Sequence, residues 1–236
     1  MGQKRVSGRF QNILAVDAST SRASVALFAD NVLYEENIEA TSLHAQALLP
    51  MIERLLSQAN LTPGMLEGLV FGRGPGSFTG LRIACSIVKG LAYAHDLPLY
   101  PVSDLAAIAR QVFQSEHDVG VKRVPVLAAI DARMNQLYWA YYPNIHDVTS
   151  PEYVTFAEEL IIPVQRPFLL AGVGLHAYEK LMPKALLAQT LKICDVYPCA
   201  RALISIAQTT PVAAVDAEHA APVYIRNHVT HGDPHG

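Results

Sequence analysis

Two short segments hold the residue types best suited to chemistry. The first, Asp17-Ala18-Ser19-Thr20-Ser21, closes an apolar run with a carboxylate and follows it with hydroxyls. Strand ends of this kind present a nucleotide's phosphates and metal, which makes Asp17, Ser19 and Thr20 candidate nucleotide-binding residues. Such a phosphate loop normally carries a glycine after the carboxylate, so that backbone N–H groups can close on the anion, and here Ser19 stands in the glycine position. A second copy, Asp131-Ala132-Arg133-Met134, has neither glycine nor hydroxyl. A kinase or ATPase site that depends on both loops therefore reads as degenerate.

The second segment is the glycine loop Gly72-Arg73-Gly74-Pro75-Gly76-Ser77-Phe78-Thr79-Gly80, which lies between an apolar run and a stretch of helical periodicity. Gly72, Gly74, Gly76 and Gly80 with Pro75 fix a loop at a helix N-terminus, a place that attracts anions. No Lys-Ser/Thr follows as in a Walker motif, and the Gly-x-Gly-x-x-Gly spacing of a dinucleotide fold is missing. The glycines serve equally to turn the chain tightly and to let the helix pack close to its neighbours. Ser77 and Thr79 read as helix caps rather than nucleophiles, since no His or Lys lies near them in sequence.

Metal ligation has little support. His44 is followed by Leu48 four residues on, and the one His pair at that spacing, His231 and His235, flanks Gly232 and Pro234 at the very end of the chain. Cys85, Cys194 and Cys199 have neither zinc-site nor disulfide-framework spacing, which predicts a reducing, cytoplasmic setting. Hydrophobic residues make up 51% of the 236, enough for a sizeable core, while charged residues reach only 17%, which suggests apolar surface covered by a partner. The net charge of −3 and the scattered Lys and Arg argue against a chain that grips nucleic acid alone. The longest uncharged run, Ala202 to Val215, is too short and too polar to cross a bilayer.

The elements that must position these segments follow from periodicity. Asn12 to Asp17, Ala23 to Ala29 and Val32 to Ile38 read as three strands of an antiparallel meander, with a turn at Asp30-Asn31. A helix capped by Thr41 or Ser42 carries an apolar stripe from Ala47 to Ala59. Leu66 to Phe71 is a strand feeding the glycine loop and the helix Leu81 to His95; Leu99 to Val102 and Leu105 to Phe113 give a further strand and helix. The second half repeats the first: Leu127 to Ala132 lies 114 positions beyond Ile13 to Ala18, and Leu169 to Gly174 lies 100 beyond Leu69 to Gly74. The resulting fold class is α/β, a two-lobed actin-like (ASKHA, ribonuclease H-like) fold with a duplicated meander plus strand-glycine-helix unit. The expected organisation is a flexible extension over 1–11, a partner-binding first lobe over 12–113, a second lobe over 114–199, a C-terminal helix and tail over 200–229 packing toward the first lobe, and a disordered tail over 230–236. The two stripes of the first lobe are core by default. Their alternative use is docking a related subunit through Leu48, Met51, Leu55, Ala84, Ile87, Val88 and Leu91.

On Ile13 to Ser19, Gly72 to Arg82, Ile130 to Arg133 and Pro222-Val223-Tyr224-Ile225-Arg226, the chain resembles the TsaB (YeaZ-type) proteins of bacterial threonylcarbamoyladenosine synthesis, over roughly Asn12 to Val229. The resemblance implies a relative of the transferase TsaD that pairs with it as a heterodimer through first-lobe helices, with the ATPase TsaE joining. TsaD transfers threonylcarbamoyl from its adenylate to adenosine 37 of tRNAs that read codons beginning with A. Its metal is held by a His-x-x-x-His pair after a strand equivalent to Leu99 to Val102, positions taken here by Asp104 and Ile108. Isoleucine cannot ligate a metal, so the resemblance predicts a non-catalytic scaffold and activator, and a zinc peptidase lacks its ligands for the same reason. It further predicts no cofactor of the chain's own, ATP or ADP only at a composite site, tRNA met indirectly through the complex, a homodimer as an option for the isolated chain, and no membrane. The rival reading is a small-molecule kinase or ATPase of the same fold that uses Asp17.

Overall fold

The computed structural model describes residues 9–39, 44–117, 124–162 and 166–225. The cap expected at Thr41 or Ser42, the chain before Arg9 and the tail after Ile225 lie outside them. β1 (Asn12–Asp17), β2 (Arg22–Ala29) and β3 (Val32–Glu39) form the expected antiparallel meander. Its β2–β3 turn places Asp30 and Asn31 at φ of 48° and 65°, left-handed values that short polar side chains tolerate. After α1 (His44–Gln58), β4 (Gly68–Gly72) leads into α2 (Phe78–His95) and then β5 (Leu99–Val102). β4 and β5 run parallel to β1, giving the order β3-β2-β1-β4-β5.

The second half rebuilds this sheet strand for strand. β6 (Val126–Asp131), β7 (Gln136–Tyr142), β8 (Tyr153–Phe156), β9 (Phe168–Gly172) and β10 (Thr190–Asp195) pair in the order β8-β7-β6-β9-β10, with the same antiparallel and parallel pattern. This is the duplicated, two-lobed actin-like architecture. Two parts of the copy are reduced: in the place of α1, between β8 and β9, the described residues make only a 3-10 turn over Ala157–Glu159, and where a helix is expected after Gly174, the chain makes only a 3-10 turn over Leu175–Tyr178 and the short α4 (Lys184–Gln189).

Two further helices, α3 (Asp104–His117) and α5 (Ala200–Thr209), lie between the sheets. α5 packs on β1, β2 and β4 of the first sheet, whereas α3 packs on β6, β7 and β9 of the second, and the two helices touch each other. α3 thus precedes the second lobe in sequence but belongs to its packing. Arg110 on α3 fastens the pair. Its guanidinium, 5% exposed, donates to Thr209 Oγ1 at 2.7 Å and to the Ser205 carbonyl at 3.4 Å, near the C-terminal end of α5 where a cation is favoured.

Central strands are buried on both faces, which explains their near-continuous apolar sequences. In β1, Ile13 and Ala15 face the inner helix pair, and Leu14 and Val16 face α1 and α2. In β6, Val126, Ala128 and Ile130 share that inner core, while Leu127 and Ala129 look to an outer cluster with Trp139 and Leu186. Among the described residues, no helix is long and apolar enough to cross a membrane. Leu203 of α5 is fully buried between the sheets. Leu203→Ala is expected to lower unfolding stability by about 2–5 kcal/mol in denaturant titration, against a change within about 1 kcal/mol for Leu49→Ala on the exposed side of α1.

Candidate functional site

β1 and β6 end in the same local structure. Asp17 Oδ1 accepts the Ser19 N–H at 2.7 Å, and Asp131 Oδ1 accepts the Arg133 N–H at 2.7 Å, so each aspartate folds its own turn. Their surroundings differ. Asp17 is fully buried and Ser19 is 1% exposed, whereas the Asp131 side chain is 35% exposed. Tyr178 donates to Asp131 Oδ1 at 2.5 Å; burial first, then this bond, push its phenol up to about 12. Arg133, Met134 and Asn135 all take left-handed φ of 53–65° to close the β6–β7 turn.

The glycine loop brings the helix α2 onto the end of β1. Ser77 caps α2 by accepting the Gly80 N–H at 3.4 Å, and its own N–H donates to the Ser19 carbonyl at 2.7 Å. Ser77, not Thr79, is the cap; Thr79 lies exposed in the first turn. A Cβ on Gly80 would run into the Ala18 carbonyl, and one on Gly76 into the Ser19 carbonyl, so both positions demand glycine by close approach. Gly74 has φ of 104° and donates its N–H to Asp104 Oδ2 at 2.6 Å. The glycines therefore serve the chain's own packing at the point where an anion would have to enter.

Asp104, the first residue of α3, is fully buried beside Asp17. Its carboxyl is raised well above the usual range, by burial first and by the neighbouring Asp17 carboxylate second, against the opposing pull of the Gly74 N–H, the Ser19 hydroxyl and Arg73. Gly72 lies so close that a Cβ there would meet Asp104 Oδ1. The sequence singles out Asp104 only as a missing histidine; its partnership with Asp17 is a product of folding, because 87 residues separate them (104 minus 17).

A cleft of about 810 Å³ opens between the lobes. Ser19, Thr20, Gly76, Ser77, Thr79 and Gly80 line one wall, and Asp131, Arg133, Asn135, Gly174 and Tyr178 the other. Of the expected nucleotide-binding residues, Ser19 and Thr20 line the cleft, Thr20 with its hydroxyl tied to the Arg22 backbone at 3.3 Å, and Asp17 does not; of the glycine loop, Gly72 and Gly74 stay away from it. Among the described residues, no group of three or more His, Cys, Asp or Glu side chains converges as a metal site would require.

The expected docking residues need correction. Leu48, Met51, Leu55, Ala84 and Val88 are at most 2% exposed and pack in the core beneath α1 and α2, so they offer no surface to a partner. Ile87 and Leu91 are half-buried at the edge of that core. Beside them on α2 lie Ile83, half-buried, and Ser86, Gly90, Tyr93 and Ala94, exposed, of which Tyr93 is 87% exposed. The stripe Ile83, Ile87, Gly90, Leu91 and Ala94 is uncharged, Arg82 and Lys89 reach the segment after α5 from the stripe of Ser86 and Tyr93, and Gly90 has open space where a side chain would stand. Sequence reasoning reached Ile87 and Leu91 of the uncharged stripe but mixed them with core positions, because α2 is apolar on both sides.

The family model described as TsaD: tRNA N6-adenosine threonylcarbamoyltransferase matches residues 37–229. A protein of Haemophilus influenzae named tRNA threonylcarbamoyladenosine biosynthesis protein TsaB is 33% identical over 92% of this chain and 94% of its own length. Its namesake from Escherichia coli is 34% identical over 92% and 95%. The solved structure of YeaZ from Pseudomonas aeruginosa superposes with a TM-score of 0.79 at 34% identity, covering 91% of this chain and 99% of that one.

The raised Asp104 carboxyl makes stability depend on pH in a defined direction. Between its unfolded and folded values the native state binds more protons than the unfolded chain, so stability is greatest below the ordinary aspartate range and is lost as pH rises toward the folded value. Asp104→Asn keeps an acceptor for the Gly74 N–H and removes the charge. Thermal scans are expected to show no advantage for Asp104→Asn at about pH 3 and a growing one toward pH 8, where a gain of about 1 kcal/mol would raise the midpoint by roughly 2–4 °C.

Proposed function

The chain belongs to the TsaB (YeaZ-type) family, and from that premise we propose that it serves tRNA threonylcarbamoyladenosine synthesis as a non-catalytic subunit that docks on TsaD and activates it. The observation that carries the non-catalytic reading is the seat of the Ala18-Ser19 turn on the N-terminus of α2. There the Ser77 N–H meets the Ser19 carbonyl and the Gly80 N–H meets the Ser77 hydroxyl, so donors that could hold a phosphate are engaged within the chain. Behind them lie the buried carboxyl groups of Asp17 and Asp104, which bring no positive charge toward an anion. Ile108, where TsaD-like proteins are expected to place their second metal-binding histidine, is fully buried in the inner core.

In this reading TsaD performs the transfer to adenosine 37 of tRNAs reading codons that begin with A, TsaE joins the pair, and tRNA meets this chain only through the complex. Any ATP or ADP belongs to a site completed by a partner, and the setting is the cytoplasm. Docking uses the uncharged outer face of α2, namely Ile83, Ile87, Gly90, Leu91 and Ala94, because small and apolar groups there let a partner helix approach closely. The same face would mediate self-association of the isolated chain. A small-molecule kinase or ATPase would need Asp17 to face its ligand, and Asp17 is fully buried.

Co-purification and calorimetry with TsaD test the docking face. Ile87→Asp and Leu91→Asp are each expected to weaken binding by roughly 30-fold, the effect of losing an anchor worth about 2 kcal/mol. Wild-type affinity in both variants would exclude this face. A reconstituted modification assay is expected to require the chain, and tight ATP binding by the isolated chain that Asp17→Ala abolishes would favour the kinase reading instead.

A further inference from the structure

Arg73 sits where the glycine loop leaves β4, and three separate parts of the chain hold it. Its N–H donates to the Val102 carbonyl at 2.9 Å, at the end of β5. Its carbonyl accepts the Val223 N–H at 2.7 Å, from the segment that follows α5. Its guanidinium meets Glu152 with two bonds of 3.0 Å each, 79 residues away in sequence, just before β8 of the second sheet. The side chains are 25% and 8% exposed, so the carboxylate is largely withdrawn from water. A two-pronged pair of this kind is strong and directional, and separating it would strand a charge in a place that hydrates it poorly.

The segment from Pro211 to Ile225 is stitched down along its length. Val215 and Leu99 exchange backbone bonds of 2.8 and 2.9 Å at the outer edge of β5. Lys89 on α2 donates to the Ala220 carbonyl at 3.0 Å. Arg82 donates through Nε to the Tyr224 hydroxyl at 3.0 Å and lies over the Phe78 ring at 3.8 Å, with the Phe78 and Tyr224 rings 5.3 Å apart. Phe78 also lines the cleft. One continuous path therefore runs from this strap through the Arg73 backbone and side chain to the second sheet.

We propose that Arg73 and Glu152 form a latch between the lobes that fixes the width of the cleft, and that the strap over 211–225 keeps the latch closed by holding the Arg73 backbone. The lobes are also joined by the packing of α3 against α5 and by the bonds between Gly74 and Asp104 at the head of α3, but among the contacts described the paired bonds of Arg73 and Glu152 reach from the glycine loop to the edge of the second sheet and fix one separation there. Loosening the strap frees Arg73 and lets the walls of the cleft move apart. This inference stands on geometry alone and is independent of the function proposed above.

Hydrogen–deuterium exchange of the full chain tests the latch. Glu152→Gln keeps the shape and removes the charge. It is expected to speed exchange on the order of tenfold in both cleft walls, at 19–21 and 131–135, while β1 and β4 keep their protection. Val223→Pro removes the donor to the Arg73 carbonyl, leaves both charges in place, and is expected to speed exchange in the same segments. The charge-swapped double variant R73E/E152R is expected to return the walls toward wild-type rates. Unchanged wall exchange in either Glu152→Gln or Val223→Pro overturns the latch, as does acceleration spread evenly over β1, β4 and α5.

Discussion

The site depends on one close approach, that of the α2 N-terminus to the carbonyls of Ala18 and Ser19. Only residues without a Cβ at 76 and 80 permit it. The Ser77 N–H then finds a protein carbonyl, the cap closes on Gly80, and the glycine loop is drawn far enough over β1 for Gly74 to reach Asp104. A helix N-terminus carries partial positive charge and unsatisfied donors, which either recruit an anion or are satisfied internally. Here the Ser77 and Gly80 donors are satisfied internally.

Duplication explains the rest of the architecture and also its asymmetry. Both halves keep the strand order and the aspartate that folds its own turn. Among the described residues, the second half has neither a helix in the place of α1 nor a long helix after its glycine turn, where the 3-10 turn and α4 stand in place of α2. The first half thus presents a long helix whose inner face is core and whose outer side is partly covered by the segment after α5. The second half presents a shallower wall, whose Asp131 stays partly open to water. The cleft between them is consequently hydroxyl-lined on one side and carries Asp131 and Arg133 on the other.

Much of this was legible in the sequence because it is written in local periodicity. β1, β5, the glycine loop with its helix and the repeat at 114 positions all follow from spacing that a strand or helix must have. β8 and β10 escaped because they are edge strands with little alternation: β8 is four residues long with no buried position, and β10 exposes Leu191 and Lys192 side by side. The outer stripe of α2 was read only in part, through Ile87 and Leu91, for another reason. α2 interleaves Ile83, Ile87 and Leu91 with Ala84, Val88 and Ala92, so its two faces differ in burial but hardly in polarity, and the periodicity cannot say which one points inward. The packing of α3 against the second sheet was also out of reach, since chain order does not fix which of two sheets a helix covers.

Asp104 shows how one buried carboxyl changes the chemistry a framework can offer. A carboxylate at the head of α3, beside Asp17 and under Gly72, brings two negative groups into a space that excludes water. Two like charges there cannot both be comfortably ionised, and the least costly resolution for the isolated chain is a retained proton, the direction in which the Asp104 carboxyl is pushed. A pocket resolved in that way has no attraction for phosphate, and it faces α2 donors already turned to the chain's own oxygens. The same contacts tie the glycine loop to the turn after β1 and to the head of α3. They set the pose in which α2 presents the stripe Ile83, Ile87, Gly90, Leu91 and Ala94.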